Sequence, residues 1–495
     1  MLIRPKPKLR VNFTYNLNMR IKVLVAKSLL VALPLTLISQ VASSAPKITP
    51  GASCKVNKQS VTFLTKTYTC IKKGKKLIWS KGSAVPVKTP EVPVKTPEVP
   101  AKTPEVATMT YAPPTQLSSE IETCKLKEDN NNRRGMQSVL ASGFPTITNL
   151  AVKTGTVKWA LIPIDFPDLP GESNFRIRVD SQMRLLSDWY ETVSEGKFKI
   201  EWVVQDKWVT LPGITSDYVI PLSVNLNNAA NGPKIFKDAM TAADPVFDFT
   251  SIQTVNFILP SGQTFIGEGS QGFPWDQAVK ETSTKEGSIS SYSIPGKFFD
   301  QPGRFYWSYW AHEFGHAMAL PHIGSSREPN AYMGLDLMSN QDGESRELSG
   351  WLRFVAGWLP DEKVYCKELT KLESTDITLV PLNEREAGIK MVVVPISQSK
   401  AIIIESRREG KFTCSMPSKR SGVLAYLYDA KLSHGENFLQ PITPDGRAPE
   451  VGSNCQVQPY PNPILYKGQK IFVEGLSIEI MDSRNFDKIR ISKAS

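Results

Sequence analysis

Apolar positions run almost unbroken over residues 157–166 (VKWALIPIDF) and stop at Asp165-Phe166-Pro167-Asp168, which predicts a buried strand entering a loop. The period then changes. Over residues 181–193, Leu185, Leu186, Trp189, Tyr190 and Val193 share one side of a 3.6-residue helix, with Asp180 placed as N-cap and Gly196 just past the end. Residues 197–204 alternate as a strand, and residues 254–259 form another apolar run ending at Pro260-Ser261-Gly262. A strand, helix, strand, strand order predicts a mixed α/β domain, assigned to residues 151–365. Beyond Cys366 the pattern becomes short strands at 377–382, 389–396, 401–405, 422–428 and 471–481, with no helical period between them. This predicts a smaller antiparallel β domain over residues 366–495.

The front of the chain reads differently. Arg4, Lys6, Lys8, Arg10, Arg20, Lys22 and Lys27 precede an apolar run at residues 28–38, and Val41-Ala42-Ser43-Ser44-Ala45 follows. Residues 1–45 therefore read as a secretory signal peptide, with Met1 and Met19 both open as starts. Residues 46–82 hold CKVNKQSVTFLTKTYTCIKKGKKLIW, alternating apolar positions around a Lys-rich turn, as expected for a small disulfide-stapled hairpin. In residues 83–107 a seven-residue unit, PVKTPEV and its near copies, occurs three times from Pro86 to Val106. Recurrent proline without an apolar face predicts a stalk, roughly 65 Å long at ~3.1 Å per residue. Residues 108–150 are left as an N-terminal extension or a propeptide.

Composition sharpens this division. The 495 residues carry a formal net charge of +11, but residues 1–107 hold 19 Lys and Arg against 3 acidic residues, so the remainder is negative by 5. The basic charge belongs to leader and module, and a nucleic-acid-binding body is disfavoured. After the leader no segment reaches a membrane-spanning length, so no span is expected in the mature chain. Six cysteines in an exported chain favour disulfides: Cys54 with Cys70, Cys414 with Cys455, and Cys124 with Cys366 by remainder.

Chemistry concentrates in one short stretch. Of four histidines, His312, His316 and His322 lie in AHEFGHAMALPH, whereas His434 stands apart and reads as a surface residue. An accidental HExxH is expected on the order of once in a thousand such chains. At i and i+4, His312 and His316 project from one helical face and can share one tetrahedral zinc ion at ~2.0–2.1 Å. Glu313, beside them, is placed to take the proton of an attacking water as general base. His322 reaches the same ion only if the chain turns back, and Pro321 supports a break there. The aromatic lead-in Phe305, Tyr306, Trp307, Tyr309 and Trp310 reads as packing for this helix. Asn340-Gln341-Asp342-Gly343-Glu344 offers oxygen ligands suited to calcium but no EF-hand pattern.

HEFGHAMALPH resembles the extended zinc motif of the metzincins, and Leu335-Asp336-Leu337-Met338-Ser339 resembles their methionine turn. WALIPIDFPDLPG, WYETVSEGKFKIEWVVQDKWVTLP and LSGWLRFVAGWLP resemble segments of immune inhibitor A-type secreted bacterial metalloproteases, so the likeness spans about residues 157–360. It implies a mixed sheet with an active-site helix and an endopeptidase using one zinc ion, often with structural calcium. It carries His312, His316 and His322 over as zinc ligands, Glu313 as general base and Met338 as the floor beneath the ion. Two departures stand out: Ala319 occupies the usual glycine position, where a left-handed backbone is needed, and His322 stands where many members have aspartate. Residues 46–82 resemble small modules of secreted actinobacterial proteins, which implies cell-wall association; a solvated basic spacer is the other reading.

The sequence thus predicts a secreted zinc endopeptidase acting on protein or peptide substrates. Its rival is a surface-associated binding or structural protein with a non-catalytic zinc site. Intact Glu313 speaks against the rival, because a structural zinc site is expected to present four protein ligands.

Overall fold

A computed structural model describes residues 53, 60–63, 66–74, 76–81, 83–84, 118–129, 135–222, 230–267, 269–300, 306–324, 334–343, 345–413, 421–447, 449–450 and 460–494. The leader, most of the stalk, Cys54, Cys414 and Cys455 lie outside these residues. The chain divides into two compact units, residues 1–106 and 107–495. Among the described residues no helix is long and apolar enough to cross a membrane.

In the first unit, β1 (Ser60–Phe63), β2 (Lys66–Lys73) and β3 (Lys76–Trp79) pair antiparallel in sequence order, and β4 (Ser83–Ala84) pairs with β2. The Lys-rich turn of the sequence closes the β2–β3 hairpin, where Gly74 has φ +63°. Cys70 is fully buried and disulfide-bonded.

The second unit begins with α1 (Ser118–Cys124). It continues with β5 (Gly155–Asp165), α2 (Arg176–Val193), β6 (Phe198–Val204), β7 (Val209–Thr210), α3 (Asn231–Ala243) and β8 (Ile252–Ile258). β9 (Gly269–Gly272), α4 (Gln277–Glu281), β10 (Ser291–Pro295) and α5 (Tyr306–Ala317) follow. The sheet order is β6-β5-β8-β10-β9 with β7 extending β5; every pairing is parallel except β9 against β10. Side chains alternate across a strand, so Trp159 and Leu161 of β5 enter a core shared with α2 and α5, while Ala160, Ile162 and Ile164 face α3. Burial on both faces explains why the central strand reads as a continuous apolar run.

Two sequence expectations are corrected here. α2 starts at Arg176, not near Ser181, and Asp180 is not its cap: it lies inside the helix, paired with Arg176 one turn earlier at 2.7 Å. An i, i+4 ion pair competes for the same short acidic side chain that an N-cap would use. α3 had no counterpart in the sequence reading; its buried Ile235, Phe236, Ala239, Met240 and Ala243 have helical spacing but follow a Gly-Pro pair.

Near residue 366 the secondary structure changes to strands. After α6 (Gly350–Val355), β11 (Val364–Cys366), β12 (Thr375–Leu379), β13 (Met391–Pro395), β14 (Lys400–Arg407), β15 (Gly422–Asp429) and β16 (Leu439–Pro441) follow. A short pair, β17 (Pro449–Glu450) and β18 (Tyr460–Pro461), precedes β19 (Lys470–Val473), β20 (Leu476–Ser483) and β21 (Asp487–Lys493). One sheet has the order β11-β13-β14-β15-β16, antiparallel apart from the parallel β11–β13 pair; the other is antiparallel, β12-β21-β20-β19. The expected single strand at 471–481 is a hairpin, reversed at Glu474 (φ +47°) and Gly475 (φ +79°).

The five-stranded sheet is buried on both sides. Val392, Val394, Ile402 and Ile404 pack on the four-stranded sheet, whereas Met391, Val393, Ala401 and Ile403 join the core of α2, α5 and Trp159. A disulfide between Cys124 and Cys366, 242 residues apart, ties α1 to the edge of this sheet. Arg353 of α6 is fully buried and donates to Glu347 Oε2 at 2.6 Å, Leu348 O at 2.9 Å and Leu382 O at 2.7 Å. Removing a buried cation leaves its anion desolvated and alone. Arg353→Met is therefore expected to destabilise the protein by about 3–5 kcal/mol in urea unfolding; a cost below ~1 kcal/mol would show that Glu347 finds another partner or takes up a proton.

Candidate metal centre

The helix α5 carries His312 and His316 on one face, and the chain then reverses. Met318 and Ala319 close the helix with bonds from their N–H groups to Phe314 O (3.1 Å) and His316 O (2.8 Å), and Leu320 N–H reaches back to Gly315 O at 2.8 Å. Ala319 has φ +74°, so the left-handed conformation that glycine usually supplies is adopted here by alanine. The conformation is held from outside the helix. Ala141 N–H donates to Ala319 O at 2.8 Å, Ala151 N–H to Ala317 O at 3.0 Å, and Ile323 N–H to Met338 O at 3.3 Å.

This turn brings the third histidine back. His322 Nε2 lies 2.8 Å from His312 Nε2 and 3.0 Å from His316 Nε2. Among the described residues these three form the one group of three or more ligand-type side chains, with atoms all within 4.8 Å of one another. His312 Nδ1 is 2.9 Å from Leu337 O, and His316 Nδ1 is 2.7 Å from Leu320 O. A carbonyl only accepts, so both Nδ1 atoms carry the proton and both Nε2 lone pairs point inward. Burial pushes His312 down to about 4 and His322 to about 3, and drives His316 well below the ordinary range, with the neighbouring rings adding to the effect. Neutral, convergent imidazoles of fixed tautomer are the donor set a borderline-soft divalent ion takes.

Glu313 points from the same helix without joining this set. Burial of its carboxyl raises the pKa to about 8, while the side chain keeps partial exposure. Met338 is fully buried beneath α5: a Cβ placed on Gly315 would meet its Sδ at 2.9 Å, so the glycine between the two histidines leaves room for the sulfur. The turn that carries Met338 is fastened by Asp336, whose Oδ1 accepts from Met338 N–H at 2.7 Å and whose Oδ2 accepts from Ser349 N–H at 2.6 Å. Desolvation raises Asp336 to about 6, opposed by Arg407 and these amides.

Sequence reasoning placed His434 on the surface; the structure corrects this. His434 is half-buried, its ring lies 4.7 Å from His322 at 25°, and its Nδ1 accepts from the His322 N–H at 3.0 Å. No local pattern marks it, because its partner is 112 residues away. The Asn340–Asp342 stretch makes a local turn, with Asp342 N–H on Asn340 Oδ1 at 3.0 Å; Glu344 lies outside the described residues. On the other flank of the site, Phe273 follows β9 with its ring 6.1 Å from His316 and stacks on Trp275 at 4.9 Å.

No protein-family model matches the chain, and no curated protein matches it. Among solved structures, it is similar to metalloproteinase-II from Bacteroides fragilis, at 13% identity and TM-score 0.24, over 48% of this chain and 59% of that one. It is also similar to OgpA from Akkermansia muciniphila, at 10% identity and TM-score 0.28, over 63% and 96%. Catalytically inactive OgpA in complex with an O-glycopeptide substrate matches at 11% identity and TM-score 0.25, over 61% and 89%. The chain thus spans 59% of the length of the Bacteroides protein. These likenesses are slight, and the functional reading rests on the site itself.

The titrations of this site predict how stability of the chelator-treated protein depends on pH. The three histidines have folded pKa values below their ordinary 6.5, so the unfolded chain binds more protons from there down to about 4 or lower, and they make stability rise with pH up to 6.5. Glu313 has a folded pKa above its ordinary 4.5, so the folded chain holds the extra proton up to about 8, and its contribution falls as pH rises through that window. Urea midpoints should therefore climb to about pH 6.5 and then decline towards pH 8. Glu313→Gln should abolish the decline; an unchanged decline in that variant would assign it to another group.

Proposed function

We propose that the chain is a secreted zinc-dependent endopeptidase. One observation carries the reading: three histidine Nε2 atoms converge, and a carboxyl outside their set follows the first of them on the same helix. His312, His316 and His322 would hold the ion, over Met338. When bound, zinc would polarise a scissile carbonyl and acidify a water. Everything else is supplied by the chain. The Leu337 and Leu320 carbonyls fix two imidazoles in the tautomer that presents Nε2. Glu313 in its ionised form can accept a proton from the attacking water and deliver it to the leaving amine, and the pKa that burial raises makes that carboxylate a stronger base.

The edge of the sheet would supply the substrate path. β9 is an edge strand, paired only with β10 among the described residues, and runs into Phe273 beside His316. An extended peptide can add to such an edge by main-chain hydrogen bonds, which recognises peptides with little regard to sequence. Partly exposed Phe273 and Trp275 then offer apolar contact to a substrate side chain next to the scissile bond. Export is supported by the leader at residues 1–45 and by the Cys124–Cys366 disulfide.

Purified residues 46–495 should hydrolyse casein, and Glu313→Gln should lose about 10²–10⁴-fold in rate while keeping its zinc, as expected when a general base is removed. A Glu313→Gln protein that cleaves at the parental rate would exclude the proposed base. Zinc retention without cleavage by either protein would favour a binding protein in which the ion only staples the turn.

A further inference from the structure

His322 differs from its two partners in how it is aimed. His312 and His316 are fixed by the helix that carries them, whereas His322 follows Pro321 and a left-handed residue, so no helical backbone orients it. Its main chain is held instead by a loop of the C-terminal strands. The His322 N–H donates to His434 Nδ1 at 3.0 Å, and the His322 carbonyl accepts from Gly435 N–H at 2.9 Å. The His434 ring also lies against the His322 ring at 4.7 Å.

The loop is built for this. Ser433 N–H and Oγ both donate to Glu436 Oε2 at 2.8 Å, Glu436 N–H returns to Ser433 O at 3.0 Å, and Gly435 and Asn437 adopt φ of +75° and +56°. Its foot is tied to the N-terminal extension: Asp129 N–H donates to Ala430 O at 3.0 Å and Ser142 Oγ to Leu432 O at 3.1 Å. Because a backbone N–H can only donate, His434 Nδ1 is unprotonated and its hydrogen sits on Nε2, the reverse of His312 and His316. His434 is outside the set of convergent ligand atoms.

We propose that His434 is a positioning residue for the metal centre: its Nδ1 and ring face fix the backbone and imidazole plane of His322, the one ligand the helix does not orient. This rests on the reading of His312, His316 and His322 as ligands. Only an imidazole supplies both elements, an acceptor at Nδ1 and a flat face. Asparagine keeps an acceptor near the same place, phenylalanine keeps the face, and alanine keeps neither.

The test uses residues 46–495 as wild type, His434→Asn, His434→Phe and His434→Ala. Zinc affinity is measured by chelator competition and ligand geometry by the visible absorption of the Co²⁺-substituted proteins. Loss of a supporting contact of this kind weakens metal binding about 10–100-fold. That loss, with an altered Co²⁺ spectrum, is expected for Phe and Ala, and Asn should recover most of the affinity. Melting of the metal-free proteins identifies any variant that fails to fold, and the Asn and Ala pair reads the acceptor alone if Phe is not tolerated. Parental zinc affinity and an unchanged Co²⁺ spectrum in Phe and Ala would overturn the proposal. A wild type that binds neither ion would instead overturn the ligand assignment on which it rests.

Discussion

Three imidazoles can meet at one point only if the chain reverses within the six residues from His316 to His322, and the reversal is made by a left-handed residue that is not glycine. Alanine in that conformation costs roughly 1–2 kcal/mol. Locally, the Ala319 and Leu320 N–H groups close the turn on His316 O and Gly315 O. The hydrogen bonds from Ala141, Ala151, Ile323 and Gly435 converge on residues 317–338, and at about 0.5–1.5 kcal/mol net each they offset the strain together, though no one of them would be sure to do so. The turn therefore exists because segments before the sheet and after residue 421 both grip it.

The same logic runs through the buried charges. Asp336 joins the turn that carries Met338 to the start of α6, and Glu405 of β14 accepts from Gly350 N–H at 2.8 Å and from Tyr426 OH at 2.7 Å. Glu347 and Arg353 pair behind them. Asp336 takes amides, Glu405 an amide, a hydroxyl and the Arg407 guanidinium, and Glu347 the Arg353 guanidinium, so a small shift of α6 would break several charge-assisted bonds together. Met338, packed under Gly315, is joined to this network through its N–H on Asp336 Oδ1. The five-stranded sheet is therefore a wall of the site and not an appendage: Glu405 and Tyr426 lie on it, and the His434 loop follows β15.

What the sequence made legible was whatever is local. The i, i+4 histidines, the intervening Gly315 and the break at Pro321 are encoded within a dozen residues, and the structure brings together the three histidines that this spacing selected. The apolar run of β5 and the strands β13 to β15 were readable because burial on both faces leaves no polar alternation. Asp180 misled because an aspartate near a helix start can cap or pair, and Arg176 decided the outcome. The β19–β20 hairpin was hidden by Glu474, whose positive φ no composition rule anticipates. His434 was beyond reach for a different reason: its role depends on a partner 112 residues earlier, and no periodicity links two loops.

The fourth histidine bears on whether the centre is built to react or only to bind. A structural zinc site closes its tetrahedron with four protein ligands, whereas a catalytic one keeps three and leaves room for a water or substrate oxygen. This chain has a fourth imidazole stacked on the third, with ring centroids 4.7 Å apart. It is instead turned so that Nδ1 accepts from a backbone N–H, which occupies that nitrogen's lone pair and leaves three convergent ligand atoms among the described residues. Glu313 follows His312 on the same helix; burial raises its pKa to about 8, and its carboxyl makes no contribution to the set. Desolvating an acid is costly, and a site that merely stapled a turn would gain nothing from the expense. A fourth imidazole turned away from the set and a carboxyl kept apart from it are both consistent with the proposed hydrolytic centre.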